Sequence, residues 1–271
     1  MTARRTFLMV AGQLALVGTL PGCVVERRVP TDPRDNGARR GGGAAGDDRE
    51  ALSARPGNAP PAEPAGPGEH ELGVAEEGDS LLFLPSSAGP RGPVPLVVSL
   101  HGAGGSARGG LDLLRSAAAE HGFAVLAPSS RESTWDAVRG RYGPDVDVLD
   151  RSLRRAFELV RVDPERIALA GFSDGASYAL GLGLANGMLF GAVMAFSPGF
   201  VPPAARTGTP RIFVSHGAAD DVLPVERTSR RIVPQLEEDG YDVTYAEFEG
   251  GHAVPPPIVR RAVEWWGRPE G

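Results

Sequence analysis

From residue 80 onward, short apolar runs alternate with stretches of helical spacing, and that alternation is the tightest constraint on the fold. Residues 95–100 form a continuous apolar run, the pattern of a strand buried on both faces. Residues 123–127, 167–170, 192–196 and 211–215 repeat it, an earlier strand is expected over 80–84, and 242–248 alternates as a last strand. Helices are expected over 107–121, closed by Gly122, and over 147–160, where Val148, Leu149, Leu153, Phe157 and Val160 share one stripe. Further helices are expected over 174–186, 225–239 and 256–266, and Asp163-Pro164 reads as a turn. Strands separated by helices imply an α/β fold, a mostly parallel doubly wound sheet with helices on both faces. In such sheets, sites lie at the carboxyl ends of the strands.

The first quarter of the chain has a different texture. Arg4 and Arg5 precede an apolar run over 7–20, too short to span a bilayer as a mature helix, so residues 1–23 read as an export signal. Arg4-Arg5-Thr6-Phe7-Leu8 resembles a twin-arginine signal, with Ala3 departing from the usual preceding residue. Leu20-Pro21-Gly22-Cys23 resembles a bacterial lipobox, in which Cys23 would be lipidated. That expectation puts the protein in the cell envelope, touching the membrane only through a lipid anchor on Cys23. Residues 24–71 are rich in Pro, Gly, Ala, Arg and Asp and read as a disordered tether, leaving 72–271 as the folded domain.

Composition removes several functions. The net charge of −6 argues against a general nucleic-acid binder. Every one of the 28 basic residues is Arg, so lysine chemistry such as Schiff bases and the phosphate-loop lysine is excluded. A single Cys rules out an intramolecular disulfide, and no H-E-x-x-H pattern occurs, so no metal or other cofactor is expected.

Chemistry concentrates at the expected strand ends. Gly171-Phe172-Ser173-Asp174-Gly175 fits G-x-S-x-G where a strand runs into Gly171 and a helix leaves from Asp174. Such a turn lifts a serine hydroxyl clear of the sheet; a Gly-rich helix cap with Ser173 as the capping residue is the plainer alternative. Of the five histidines, His252 follows Gly250-Gly251 after the last strand and is the best base. His101 and His216 each close a strand before a Gly, which suits structural or site-shaping roles. Asp220 is the first choice as the acid orienting that base, with Asp221 as the alternative, and the order Ser, Asp, His is that of α/β-hydrolases. In His101-Gly102-Ala103-Gly104-Gly105 the backbone N–H of Ala103, paired with that of Asp174, is positioned to receive an oxyanion. Gly102 to Ala107 also fits G-x-G-x-x-A, but the dinucleotide reading lacks its acidic ribose partner, since the next strand ends in Ala127-Pro128-Ser129. Trp135 and Phe200 are candidate pocket walls, with a core anchor beneath a surface loop as the equal alternative for each, and the short stretch between Ser173 and Asp220 argues against a large lid.

Together, Leu100-His101-Gly102-Ala103-Gly104-Gly105, Gly171-Phe172-Ser173-Asp174-Gly175-Ala176-Ser177, His216-Gly217-Ala218-Ala219-Asp220 and Gly251-His252-Ala253-Val254-Pro255 resemble the α/β-hydrolases. The similarity is to bacterial serine esterases of the phospholipase/carboxylesterase and polyhydroxybutyrate-depolymerase-like branches, over about residues 80–266. In that family the acid stands four residues after the His of the His-Gly pair, which favours Asp220. Asp174 departs from the Gln or Met often found there and sets a carboxyl group beside the oxyanion site. The resemblance implies cleavage of small or oligomeric esters by Ser173, Asp220 and His252. A catalytically silent surface binding module and a peptidase of the same fold are the alternatives.

Overall fold

The computed structural model describes residues 49–75, 78–88 and 92–268, all within one compact unit. The export signal, Cys23 and most of the expected tether lie outside these residues. Eight strands form one sheet: β1 (Gly68–Glu71), β2 (Leu81–Leu84), β3 (Val94–Leu100), β4 (Ala124–Ala127), β5 (Val162–Phe172), β6 (Ala192–Phe196), β7 (Arg211–Gly217) and β8 (Val243–Phe248). Their spatial order is β1-β2-β4-β3-β5-β6-β7-β8. The β1–β2 and β2–β4 pairs are antiparallel and all others parallel. This is the mostly parallel, doubly wound α/β architecture that the apolar runs imply.

Among the described residues six α-helices accompany the strands: α1 (Ala107–His121), α2 (Asp136–Arg139), α3 (Pro144–Leu159), α4 (Asp174–Ala185) and α5 (Ser229–Glu238) between strands, and α6 (Pro256–Gly267) after the last one. Successive strand residues alternate between two cores. Leu96, Val98 and Leu100 pack with residues of α3, α4 and α5, whereas Val97 packs with residues of α1 and α6. Both faces are therefore covered, which is why the central strands need no polar face. The end of α1 follows from its sequence: Gly122 takes the left-handed conformation (φ 74°), and its N–H bonds Ala118 O at 2.9 Å.

Several elements differ from expectation. Asp163-Pro164 turns inside β5: the pairing with β3 passes from Val94↔Val162 to Leu96↔Ile167, so residues 163–166 bulge out, with the Glu165 N–H on Asp163 Oδ1 at 3.1 Å. The stretch expected as one helix over 225–239 splits into a 3-10 turn, Val225–Arg227, and α5. The packed region also begins before residue 72. Leu52 and Ala54 are 4% and 3% exposed. The Asp150 carboxylate receives the Ser53 and Ala54 N–H groups, each at 2.7 Å, and Asn186 Oδ1 receives Leu52 N–H at 2.8 Å. The order of 49–71 comes from these distant partners and from β1 pairing with β2, so the end of the expected tether is part of the fold.

Candidate active site

Ser173 sits between β5 and α4 with φ 57° and ψ −120°, a conformation costly for any residue with a Cβ. Its N–H is fixed on Phe196 O of β6 at 2.9 Å. The flanking glycines have steric reasons. A Cβ on Gly171 would overlap the Gly175 carbonyl, and one on Gly175 would overlap the Leu100 and His101 carbonyls, so the turn closes only without side chains there. Gly102 stands against the serine; a Cβ on it would lie 3.3 Å from Ser173 Cβ.

His252 reaches the same point from the loop after β8. Its Nε2 is 2.9 Å from Ser173 Oγ and its Nδ1 is 2.7 Å from Asp220 Oδ2. The loop can approach because Gly217, at the end of β7, has no Cβ to meet the Gly250 and Gly251 carbonyls. Phe172 supports the imidazole, with ring centroids 4.8 Å apart. Asp220, not Asp221, faces the histidine. Its Oδ1 accepts the Val222 and Leu223 N–H groups at 3.0 and 2.7 Å. Burial alone would raise the Asp220 pKa, but the bonds from Leu223 and His252 outweigh it and hold the carboxyl below the ordinary Asp range.

A second imidazole touches this acid. His216 is fully buried, and its Nε2 lies 2.7 Å from Leu223 O and 3.2 Å from Asp220 Oδ2. Its Nδ1 is 2.7 Å from Ser229 Oγ. The Leu223 carbonyl can only accept, so the proton sits on Nε2 and Nδ1 accepts from the serine. Burial lowers the His216 pKa despite the Leu223 and Asp220 contacts, and the ring is neutral.

The loop after β3 is tied down by residues 129–135. Ser130 N–H donates to His101 Nε2 at 3.0 Å, Gly104 N–H to Ser133 O at 2.6 Å, and Trp135 Nε1–H to His101 O at 2.9 Å. His101 Nδ1 donates to Gly102 O at 2.8 Å, and burial lowers its pKa, outweighing that bond. Among the described residues, the backbone N–H groups of Ala103 and Asp174 have no hydrogen-bond acceptor. The Asp174 carboxylate is engaged by the Thr134 hydroxyl at 2.6 Å.

The two expected pocket walls divide. Trp135 is fully buried between His101 and Tyr178, with centroids at 4.9 and 5.1 Å, so it supports the loop from beneath and cannot line an open pocket. Phe200 is 41% exposed and borders a cavity of about 590 Å³. Residues that sequence reasoning missed, Ser130, Thr134, Ser177 and Ser229, act through side-chain or backbone bonds to distant loops. None stands in a motif except Ser177, four residues after Ser173, whose Oγ accepts the Gly199 N–H at 2.9 Å. Among the described residues no group of three or more His, Cys, Asp or Glu is arranged to hold a metal ion.

Residues 145–265 match the family described as phospholipase/carboxylesterase. A curated relative, acyl-protein thioesterase 1 of Gibberella zeae, is 32% identical over 104 residues, 34% of this chain and 43% of that protein, so the match spans less than half of the relative's length. Among solved structures, esterase PE8 superposes with a TM-score of 0.56 at 27% identity, covering 68% of this chain and 95% of that one. A phospholipase/carboxylesterase from Dyadobacter fermentans shares the fold at 21% identity, TM-score 0.53, over 70% of this chain and 96% of that one. By strand order, by the serine turn between β5 and α4, and by these likenesses, the chain has the α/β-hydrolase fold, and over residues 145–265 it is similar to the phospholipase/carboxylesterase family.

Proposed function

We propose that the chain is a serine hydrolase that cleaves carboxylic esters through an acyl-enzyme intermediate. The observation that carries this reading is His252, bridging Asp220 Oδ2 at 2.7 Å and Ser173 Oγ at 2.9 Å. With Nδ1–H donated to Asp220, Nε2 is the free base that accepts the serine proton. Ser173 Oγ bonds to the ester carbonyl carbon, and the carbonyl oxygen takes up the negative charge, facing the Ala103 and Asp174 N–H groups. Each such donor supplies about 10²- to 10³-fold in rate. His252 then protonates the leaving alcohol as the C–O bond breaks. Water, giving its proton to His252, attacks the acyl carbon, and His252 returns that proton to Ser173 Oγ as the acyl C–O bond to the serine breaks and the acid is released. The same steps release a thiol from a thioester, the class named for the fungal relative, which makes a thioester the second substrate to try.

The test uses the full chain, because residues 49–71 are part of the packed unit. Fluorophosphonate labelling and turnover of p-nitrophenyl esters of increasing acyl length, with an acyl-thiol ester alongside, should both be present in the parent and absent in Ser173→Ala. A folded parent that neither labels nor turns over any ester or thioester would overturn the reading in favour of a binding module.

A further inference from the structure

We infer that the groove bordered by Phe200 is a subsite for the anionic end of an ester substrate that carries an apolar body, an inference that rests on the esterase reading above. The groove lies between α4, the loop after β6 and α5, and encloses about 590 Å³, room for a medium-length chain. Its floor is apolar: Leu184 and Leu236 are each 1% exposed, and Val201 and Pro202 complete it. Its other wall carries Arg227 and Arg231, and none of the residues lining it is acidic.

The groove comes near the serine turn, although none of Ser173, Asp220 and His252 lines it. Gly199 lines it and ties it to that turn: its N–H bonds Ser177 Oγ at 2.9 Å, and that oxygen lies 3.4 Å from the backbone carbonyl of Ser173. On its other side Gly199 faces the Leu223 side chain, a Cβ there being 3.5 Å from Leu223 Cδ2, and the Leu223 N–H holds Asp220. The inferred substrate has its carbonyl at Ser173 and its chain running past Gly199 and Phe200 into the groove.

The charges at the far wall lack partners. Neighbouring Arg230 takes both Glu226 and Glu247, and Arg206 takes Asp239 at 2.7 Å. Arg227 and Arg231, four positions apart, have no side-chain hydrogen bond or ion pair among the described residues, and the acid nearest in sequence, Glu226, is already engaged by Arg230. Arg227 ends the 3-10 turn and Arg231 lies in the first turn of α5, so the groove holds two like charges from neighbouring elements, and an oxyanion received by both relieves their repulsion. A carboxylate and a phosphate-like group share the required chemistry, two or more oxygens matched to guanidinium forks.

The experiment compares p-nitrophenyl half-esters of adipate, suberate and sebacate with the neutral hexanoate, octanoate and decanoate esters, on the full chain and on Arg227→Gln/Arg231→Gln. A parallel arm replaces the distal carboxylate with a phosphonate and separates the two sources of charge. The readout is the ratio of kcat/KM, charged over neutral, at each length. The parent should favour the charged ester by about tenfold at one length, as expected for charge-assisted bonds at a partly exposed site, falling with added salt. The double variant should bring the ratio to about one, and the optimal length measures the span from Ser173 to the arginines. A parent ratio of one or below at every length in both arms, with the neutral esters turned over, overturns this inference and leaves the esterase reading standing. If no ester is turned over, the esterase reading falls by itself. The groove is then judged by calorimetric titration with monomethyl suberate: heat lost in the double variant supports it, and no heat in the parent ends it.

Discussion

At the scale of single residues, Asp220 is the best-determined group in the site, and the reason lies in His216. Asp220 Oδ2 receives His252 at 2.7 Å and also lies 3.2 Å from the buried His216 Nε2. Because His216 bonds the Leu223 carbonyl while the Leu223 N–H bonds Asp220 Oδ1, one imidazole fixes both the carboxylate and the loop that carries it. His216 is thus a positioning residue that touches no substrate. Replacing it by Leu leaves the Leu223 carbonyl and Ser229 hydroxyl without their partner, a penalty of about 1–3 kcal/mol for a buried polar group. His216→Leu should lower kcat about tenfold to a hundredfold, with KM little changed, because the misplaced acid weakens only the step that uses His252. His216→Gln keeps an N–H in that direction and should recover most of the loss. Steady-state kinetics on both variants, with thermal unfolding to show that each is folded, checks this. A His216→Leu enzyme with the parent's kcat would remove His216 from the mechanism.

At the scale of elements, what could be read from the chain was whatever is encoded locally. The central strands were legible because burial on both faces demands unbroken apolar runs, as in 192–196, where expectation and β6 coincide. Helix α1 was legible because Gly122 can end it in a left-handed turn. The serine turn was legible because both glycines stand in one short motif, Gly171 answering to an overlap inside it, although Gly175 answers to the Leu100 and His101 carbonyls of the neighbouring strand end. What was not legible depends on distant partners. Strand β1, Gly68-Glu69-His70-Glu71, is polar and lies at the sheet edge, where only its pairing with β2 makes it a strand. Trp135 is an unmarked loop aromatic in the sequence, and only the packing of His101 and Tyr178 shows it to be core. The segment around Leu52 has linker composition, yet Asp150 and Asn186 order it. That segment should contribute measurable stability. Leu52→Ala removes a buried side chain at the periphery and should cost about 2 kcal/mol, the lower end for such truncations. Urea unfolding of the full chain would show it as a lower midpoint at unchanged slope. An unchanged midpoint would mean that the segment rests on the surface without stabilising it.

At the scale of the whole molecule, the two histidines that prop the site also set its response to acid. His101 and His216 both have pKa values lowered by burial from the ordinary 6.5. Each uses a ring nitrogen as an acceptor, His101 Nε2 for Ser130 N–H and His216 Nδ1 for the Ser229 hydroxyl, so a second proton would replace an acceptor by a donor. Below pH 6.5 the unfolded chain takes up protons that the folded chain refuses. Stability therefore falls as the pH drops through that value, and the loss continues until the folded state's own, lower pKa is reached. The carboxylates act elsewhere on the scale. Asp220 lies below its usual range and Glu247 at about 2, so the stability they contribute is lost only in stronger acid. Asp145, whose pKa burial raises, acts with the opposite sign. Among the groups with shifted values, the two histidines are those whose ordinary value lies between about pH 7.5 and 5.5. The urea midpoint of the parent should thus be lower at pH 5.5 than at pH 7.5, and the His101→Gln/His216→Gln variant should show a smaller difference between the two, whatever its absolute stability. An equal difference in the variant would assign the acid sensitivity to other groups and leave these two imidazoles as supports without a titration role.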